Sequence, residues 1–322
     1  MKTITEILTA DVRSIVIGGH VNPDGDCVGS CMSLFLYLKK NYPELNVQVY
    51  LEEPRRELRF LTEAYEGTSV FWELPVNWPV PDLFVLLDVG TRKRIGVVGD
   101  LVDVARKTVC IDHHEANDGI ADVNHVEPNI GSCAEVLYGL LDDEKIDPAC
   151  AEAIYTGIIH DTGVFQYTNT RPETMMIAGN LMKKGVDTAN IIYGSFNARS
   201  YVQSTIMGYC LSKSRLTEDG RIIYAQLSLE EMKEYGAAKS DLGEIVSQLR
   251  LTKGIIAAVF AYEMHAGAYK LSFRSTEDLD VNRVAGTFGG GGHARAAGAT
   301  VNIPANDLYR QVINAIYDEL EE

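Results

Sequence analysis

Three apolar runs in this chain, Ser14–Gly18, 83–87 and 108–111, each lead directly into a segment of carboxylates and imidazoles. Those segments are His20-Val-Asn-Pro-Asp24-Gly-Asp26, Asp88, and Asp112-His113-His114. His160-Asp161 and a glycine run, Gly289-Gly290-Gly291-Gly292-His293, follow downstream. Short Val/Ile/Leu runs read as buried strands. Parallel α/β sheets present the carboxyl ends of their strands along one edge, where such folds bind ligands. All five segments are therefore expected at strand ends, although residues 149–160, before Asp161, read as an apolar helix. Four carboxylates and two imidazoles converging there would repel one another unless cations sat between them. That favours a two-metal site, and such sites mostly cleave phosphoesters.

The alternation of elements implies a doubly wound parallel sheet. Helical periodicity covers 28–40, a second strand covers 47–51, and Ser132 with Glu135 reads as a capping box for a helix over 134–141. A helix over 172–184, stopped by Gly185, closes a first domain expected over residues 1–185. Residues 186–214 read as a linker with a connecting helix over 200–212. Residues 215–322 read as a smaller α/β domain. Its strands are expected at 222–227, 255–261, 268–274 and 296–303, and its helices at 240–250 and 306–321. The active site is expected in the cleft between the two domains.

Composition narrows the function. The formal net charge of −16 leaves no basic stripe for long nucleic acid. No apolar stretch reaches membrane-spanning length, and the N-terminus lacks a signal pattern, so a cytoplasmic protein is expected. The six cysteines contain no CxxC pair and read as buried reduced thiols.

Each motif has a plainer reading beside the chemical one. Asp24 can ligate a metal or cap the following helix. Asp88 can bridge two cations or end a surface turn. The two histidines of Asp112-His113-His114 diverge after a strand, so one is expected to ligate and the other to face substrate. Asp112 can orient an imidazole from behind. Asp161 is read as a ligand and His160 as structural. Arg274 and the glycines before His293 suit a phosphate, or belong to a strand end and a flexible loop.

Taken together, these residues resemble the DHH phosphoesterase family, in the branch with a DHH-associated C-terminal domain ending in a GGGH-type motif. Within that branch the chain is similar to the nanoRNase/pAp phosphatases, relatives of the RecJ exonuclease. The resemblance runs through His-Val-Asn-Pro-Asp-Gly-Asp-Cys-Val-Gly-Ser, Asp88, Asp-His-His, Asp161-Thr-Gly, Ser-Phe-Arg-Ser and Gly-Gly-Gly-Gly-His-Ala-Arg-Ala-Ala-Gly. It implies two Mn²⁺ ions, with Mg²⁺ or another divalent metal as the alternative. His20 and Asp24 would hold one. Asp26, His113 and Asp161 would hold the other, with Asp88 as the bridge. Water activated by both cations would attack phosphorus. His114, supported by Asp112, would contact the scissile phosphate or assist the leaving oxygen. Arg94 would bind phosphate. Arg274, Ser275, Gly291, Gly292 and His293 would hold the remote end of the substrate.

The implied substrates are short oligoribonucleotides, linear dinucleotides and pAp, with no long nucleic acid and no membrane partner. A homodimer is compatible with the sequence. With the sequence stopping near residue 322, the further domain that long-substrate exonucleases add is not expected. Rival readings are a cyclic-dinucleotide phosphodiesterase, an exopolyphosphatase or pyrophosphatase, and a nucleotide sensor without turnover. A nicotinamide-binding dehydrogenase fails, because the first strand leads to His-x-x-x-Asp-x-Asp and not to Gly-x-Gly-x-x-Gly.

Overall fold

The computed structural model describes residues 1–75, 80–276 and 279–321, and the side chain of His293 also lies outside what is described. The chain divides into two compact units, Met1–Ala198 and Arg199–Glu322. Of the segment expected as a linker, residues 186–198 fall in the first unit and 199–214 in the second.

The first unit is built on six strands: β1 (Ser14–Gly18), β2 (Asn46–Tyr50), β3 (Val70–Phe71), β4 (Leu83–Leu87), β5 (Thr108–Asp112) and β6 (Val123–Val126). Every pairing is parallel, and the order is β3-β2-β1-β4-β5-β6. Strand order therefore reverses between β1 and β4, the place where doubly wound sheets open a crevice at their carboxyl ends. The register aligns the motifs across that crevice. Gly18 pairs with Leu86, so His20 and Asp88 each lie two residues beyond the same pair. Leu87 pairs with Ile111, so Asp88 and Asp112 leave their strands side by side.

The helices of this unit are α1 (Gly25–Asn41), α2 (Leu101–Val104), α3 (Cys133–Leu140), α4 (Pro148–Asp161), α5 (Pro172–Lys183) and α6 (Thr188–Ile191). Ile15 and Ile17 of β1 join a core with residues of α1, α3 and α4. Val16, between them, points to the opposite face and packs with Phe84, Leu86, Ile95 and Val98. Two glycines let α1 and α4 touch. A Cβ at Gly29 would lie 2.6 Å from Ala153 O and 2.8 Å from Gly157 N. A Cβ at Gly157 would lie 2.5 Å from Ala134 Cβ and 2.8 Å from Asp26 Oδ1.

The second unit carries β7 (Arg215–Leu216), β8 (Ile222–Leu227), β9 (Ala257–His265), β10 (Ala268–Ser275), β11 (Gly291–His293) and β12 (Ala296–Asn302), in the order β11-β12-β10-β9-β8-β7. Only β8 and β9 pair in parallel; the other pairings are antiparallel. Its helices are α7 (Tyr201–Lys213), α8 (Leu229–Glu234), α9 (Ile245–Arg250), α10 (Val281–Thr287) and α11 (Ala305–Glu321). Residues of α10 and α11 pack on one face of the sheet, and residues of α7 and α9 on the other.

Two expectations change. Asp161 ends a helix, as the apolar run over 149–160 suggests, and not a strand. The glycine run, open between a phosphate-binding stretch and a flexible loop, supplies β11 at the edge of the second sheet. The helix expected over 240–250 shortens to Ile245–Arg250, because Gly243 breaks its first turn. All six cysteines are buried and free. No described helix is long and apolar enough to cross a membrane.

Candidate metal centre

The loop after β1 and the start of α1 supply the first ligand-type groups. Asp24 is the N-cap of α1, and its Oδ1 accepts from the backbone N–H of Asp26 and Cys27, both at 3.1 Å. That oxygen also lies 3.6 Å from His20 Nε2, so the capping and ligand readings of Asp24 hold at once. Asp26 is fully buried. Its Oδ2 accepts from Cys133 N at 2.6 Å and its Oδ1 from Ala134 N at 2.9 Å. The carboxylate thus sits on the open N–H groups at the start of α3, where the helix dipole favours an anion.

Asp88 is the hub. Its Oδ2 is 3.4 Å from His20 Nε2, and its Oδ1 is 3.5 Å from His113 Nε2. Its backbone is left-handed, with φ of 60°, which turns the side chain back over the strand ends. His113 Nε2 also lies 3.1 Å from Asp161 Oδ2 and 3.8 Å from Asp26 Oδ2. The six residues expected as metal ligands, His20, Asp24, Asp26, Asp88, His113 and Asp161, therefore meet in one cluster within the first unit.

The imidazoles are held as ligating histidines usually are. His20 Nδ1 faces the Val21 carbonyl at 2.8 Å, and His113 Nδ1 faces the Ile130 carbonyl at 3.2 Å. Those acceptors assign an N–H to Nδ1 and leave each Nε2 facing Asp88, as the atom that could ligate once its own proton is lost. His114 is held the other way. Its Nδ1 bonds Asp112 Oδ1 at 2.7 Å, so its Nε2 points away from that carboxylate. Asp112 is fully buried behind it.

Charge balance supports cations here. Burial alone would depress the His20 imidazole, but Asp24 and Asp88 outweigh it and hold it far above its ordinary value. Burial also opposes a charge on His113, yet Asp161 and Asp88 push it up to about 12. Burial works to raise Asp88, and the two flanking histidines overcome it and hold the carboxyl well below the usual range. Asp26 and Asp161 are raised by burial, with Asp88 adding repulsion to each. Asp88 Oδ1 is buried and makes no hydrogen bond among the described residues. An oxygen left in that state costs free energy unless a cation or another donor meets it. The donor set fits divalent metal ions. Asp26, His113 and Asp161 converge as one group of possible ligands, and Asp88 joins others with His20 and with His114.

Without metal, protons on His20 and His113 stand in for cations. Loading a divalent ion is therefore expected to release up to about two protons at neutral pH, and affinity should rise as pH rises. Titration calorimetry in buffers of different ionisation enthalpy measures that number. A release of zero would show that metal does not displace protons from the two imidazoles.

Of the remaining expected residues, Arg94 belongs to the first unit, and Arg274, Ser275, Gly291, Gly292 and His293 belong to the second. Arg94 is half-buried at the end of a short helical turn, and its carbonyl accepts from Val21 N at 2.8 Å, beside His20. In the second unit, Arg274 Nη1 donates to the Phe273 carbonyl at 2.9 Å. Ser275 is buried, and its hydroxyl donates to Leu279 O at 2.7 Å and lies 3.3 Å from Ala294 O, so it ties down a loop. Gly292 N donates to Asn282 Oδ1 at 2.8 Å. A Cβ at Gly290 would lie 2.2 Å from Gly298 O, so close pairing with β12 is reason enough for a glycine there. Gly291 and Gly292 lie in β11, which begins one residue after Gly290. The expected contact from the His293 side chain falls outside the described residues.

Two neighbours of the cluster were not foreseen. Cys27 is buried among the possible ligands with His20 and Asp88. Asn117 donates to Asp112 Oδ2 at 2.7 Å. The position of Cys27 one turn after Asp24 was a usable signal, whereas nothing in the spacing marks Asn117.

A doubly wound sheet with this ligand set at its strand-order reversal defines a cation-binding α/β domain. Residues 14–158 match the N-terminal domain of the DHH family, and residues 219–322 match the DHHA1 domain. The chain belongs to the DHH family of metal-dependent phosphoesterases. The Thermus thermophilus protein named bifunctional oligoribonuclease and PAP phosphatase NrnA is 32% identical, over 99% of this chain and 94% of its own length. The Bacillus subtilis protein of that name is 27% identical over 89% of each chain. Among solved structures, an exopolyphosphatase-related protein from Bacteroides fragilis superposes with a TM-score of 0.87 at 26% identity, covering 97% of this chain and 95% of its own.

Proposed function

We propose that this protein is a cytoplasmic phosphoesterase that hydrolyses very short oligoribonucleotides and linear dinucleotides to mononucleotides, and pAp to AMP, with two Mn²⁺ ions. The observation that carries the reading is Asp88, whose two oxygens face His20 on one side and His113 on the other. The names of relatives matched along nearly their whole length support the substrate class. His20 and Asp24 would hold one cation, Asp26, His113 and Asp161 the other, and Asp88 both. When bound, the cations supply Lewis acidity to water and to the phosphoryl oxygens.

The chain's own groups supply the rest. Asp112 holds the His114 ring by Nδ1, so Nε2 is the atom that gives a proton to the departing ester oxygen. Arg94 pairs with a phosphoryl oxygen near His20. Arg274, with Gly291, Gly292 and His293, engages a terminal phosphate, and a fork of guanidinium donors suits that group.

The test incubates metal-free protein with Mn²⁺ and compares product release from pAp, pApA, a five-nucleotide RNA, c-di-AMP and pyrophosphate. Fastest release from pAp and pApA is expected. Preference for c-di-AMP or pyrophosphate would keep the metal centre and replace the substrate, and no release from any would favour a nucleotide sensor. In the same assay, Arg274→Ala is expected to lose about tenfold in kcat/KM on pApA relative to unphosphorylated ApA, from one lost charged contact. Equal losses on the two would remove Arg274 from that role.

A further inference from the structure

We infer that Asn117 is a positioning residue for this site: its amide locks Asp112, and through it the His114 ring. The inference rests on the reading above that His114 serves the leaving oxygen. Asp112 is fully buried, and both its oxygens are occupied. Oδ1 accepts from His114 Nδ1 and Oδ2 from Asn117 Nδ2, each at 2.7 Å. The same Nδ2 reaches the Val89 carbonyl at 3.2 Å. Asn117 Oδ1 accepts from Gly119 N at 2.9 Å. Two acceptors around one end and a donor at the other assign the amide orientation. The loop is also tied to the exit of β4, where Asp118 N donates to Gly90 O at 3.1 Å.

Without the Asn117 amide, a buried Asp112 oxygen would be left unpaired, and the carboxylate would turn towards other donors. His114 would lose its fixed direction. In the hydrolytic step a water oxygen bonds to phosphorus as the P–O ester bond breaks. The ester oxygen keeps the electron pair and takes the proton from His114 Nε2. The proton shed by water leaves to solvent, from which the imidazole is recharged. A misdirected ring slows only the transfer to the ester oxygen.

The experiment uses the full chain with Mn²⁺ and two substrates, pApA and the 4-nitrophenyl ester of AMP, whose phenolate departs without a proton. Asn117→Ala is expected to lower kcat on pApA by roughly 10–100-fold, the usual loss for a residue that orients a site group from behind. KM should stay within about twofold, and the nitrophenyl ester should lose less than about threefold, because general acid catalysis matters little for that leaving group. Asn117→Asp keeps the shape but presents an oxygen to Asp112, and should lose as much. A second readout needs no turnover: in metal-free protein labelled with ¹⁵N-histidine, the His114 Nδ1–H resonance should broaden or vanish in both variants. Equal losses on the two substrates, or an unchanged His114 resonance in folded variants, would overturn the role. If wild-type protein cleaves neither substrate but the resonance changes as expected, the substrate reading fails and the positioning role stands.

Discussion

Asp88→Ala is expected to lower kcat on pAp by about 10³-fold or more, because on the proposed two-metal reading one side chain would serve both cations and several kcal/mol of transition-state stabilisation would depend on them. The variant should also lose some stability in the absence of metal, since Asp88 is the carboxylate that pairs the His20 and His113 imidazoles. Ala also fits the left-handed backbone at this position poorly. Asp88→Asn separates the two effects, because asparagine tolerates that conformation while removing the charge. Both variants should lose turnover, and Asn should keep the thermal midpoint better. Near-normal activity in either one would sink the two-metal reading. Circular dichroism beside the kinetic assay distinguishes a dead site from an unfolded chain.

Gly29→Ala is expected to destabilise the first unit by about 3 kcal/mol, towards the upper end for an overpacked core. On a unit of this size that lowers the thermal midpoint by roughly 10 °C. Helix propensity alone predicts the opposite sign, a gain of about 1 kcal/mol. Contact decides the outcome. The added carbon would meet backbone atoms of α4 at 2.6 and 2.8 Å, and backbone cannot swing away as a side-chain tip can. Residual activity should fall further than stability does, because α1 carries Asp24 and Asp26 while α4 carries Asp161. A midpoint equal to or above that of the unsubstituted protein would refute the close crossing.

The parts of this molecule readable in the sequence are those where one local signal suffices. The runs over 83–87 and 222–227 are continuous or alternating apolar stretches, and the strands occupy those residues. The ligand motifs were visible because carboxylates after buried strands lack an inexpensive partner. What stayed hidden depends on distant partners. β6 is a half-exposed edge strand reading Val-Asn-His-Val, with no apolar periodicity to mark it. β11 consists mostly of glycine, whose composition suggests a loop until β12 is beside it. Ser132 caps α3 as expected, its hydroxyl accepting from Glu135 N. The Glu135 carboxylate does not close the box, because Arg171 and Thr174 take it at 2.5 and 2.7 Å across 36 and 39 residues. Asn117 belongs to the same class: its importance lies wholly in what the fold places beside it.

The last carboxylate of the cluster stands on α4, while the first histidine stands just after β1. A nascent chain synthesised from its N-terminus therefore exposes His20, Asp24, Asp26, Asp88 and His113 before Asp161 exists. Until α4 has been made and has docked against α1 through Gly29 and Gly157, His113 lacks its nearest carboxylate. An incomplete chain on the ribosome then holds at most a weak, lopsided grip on its cations.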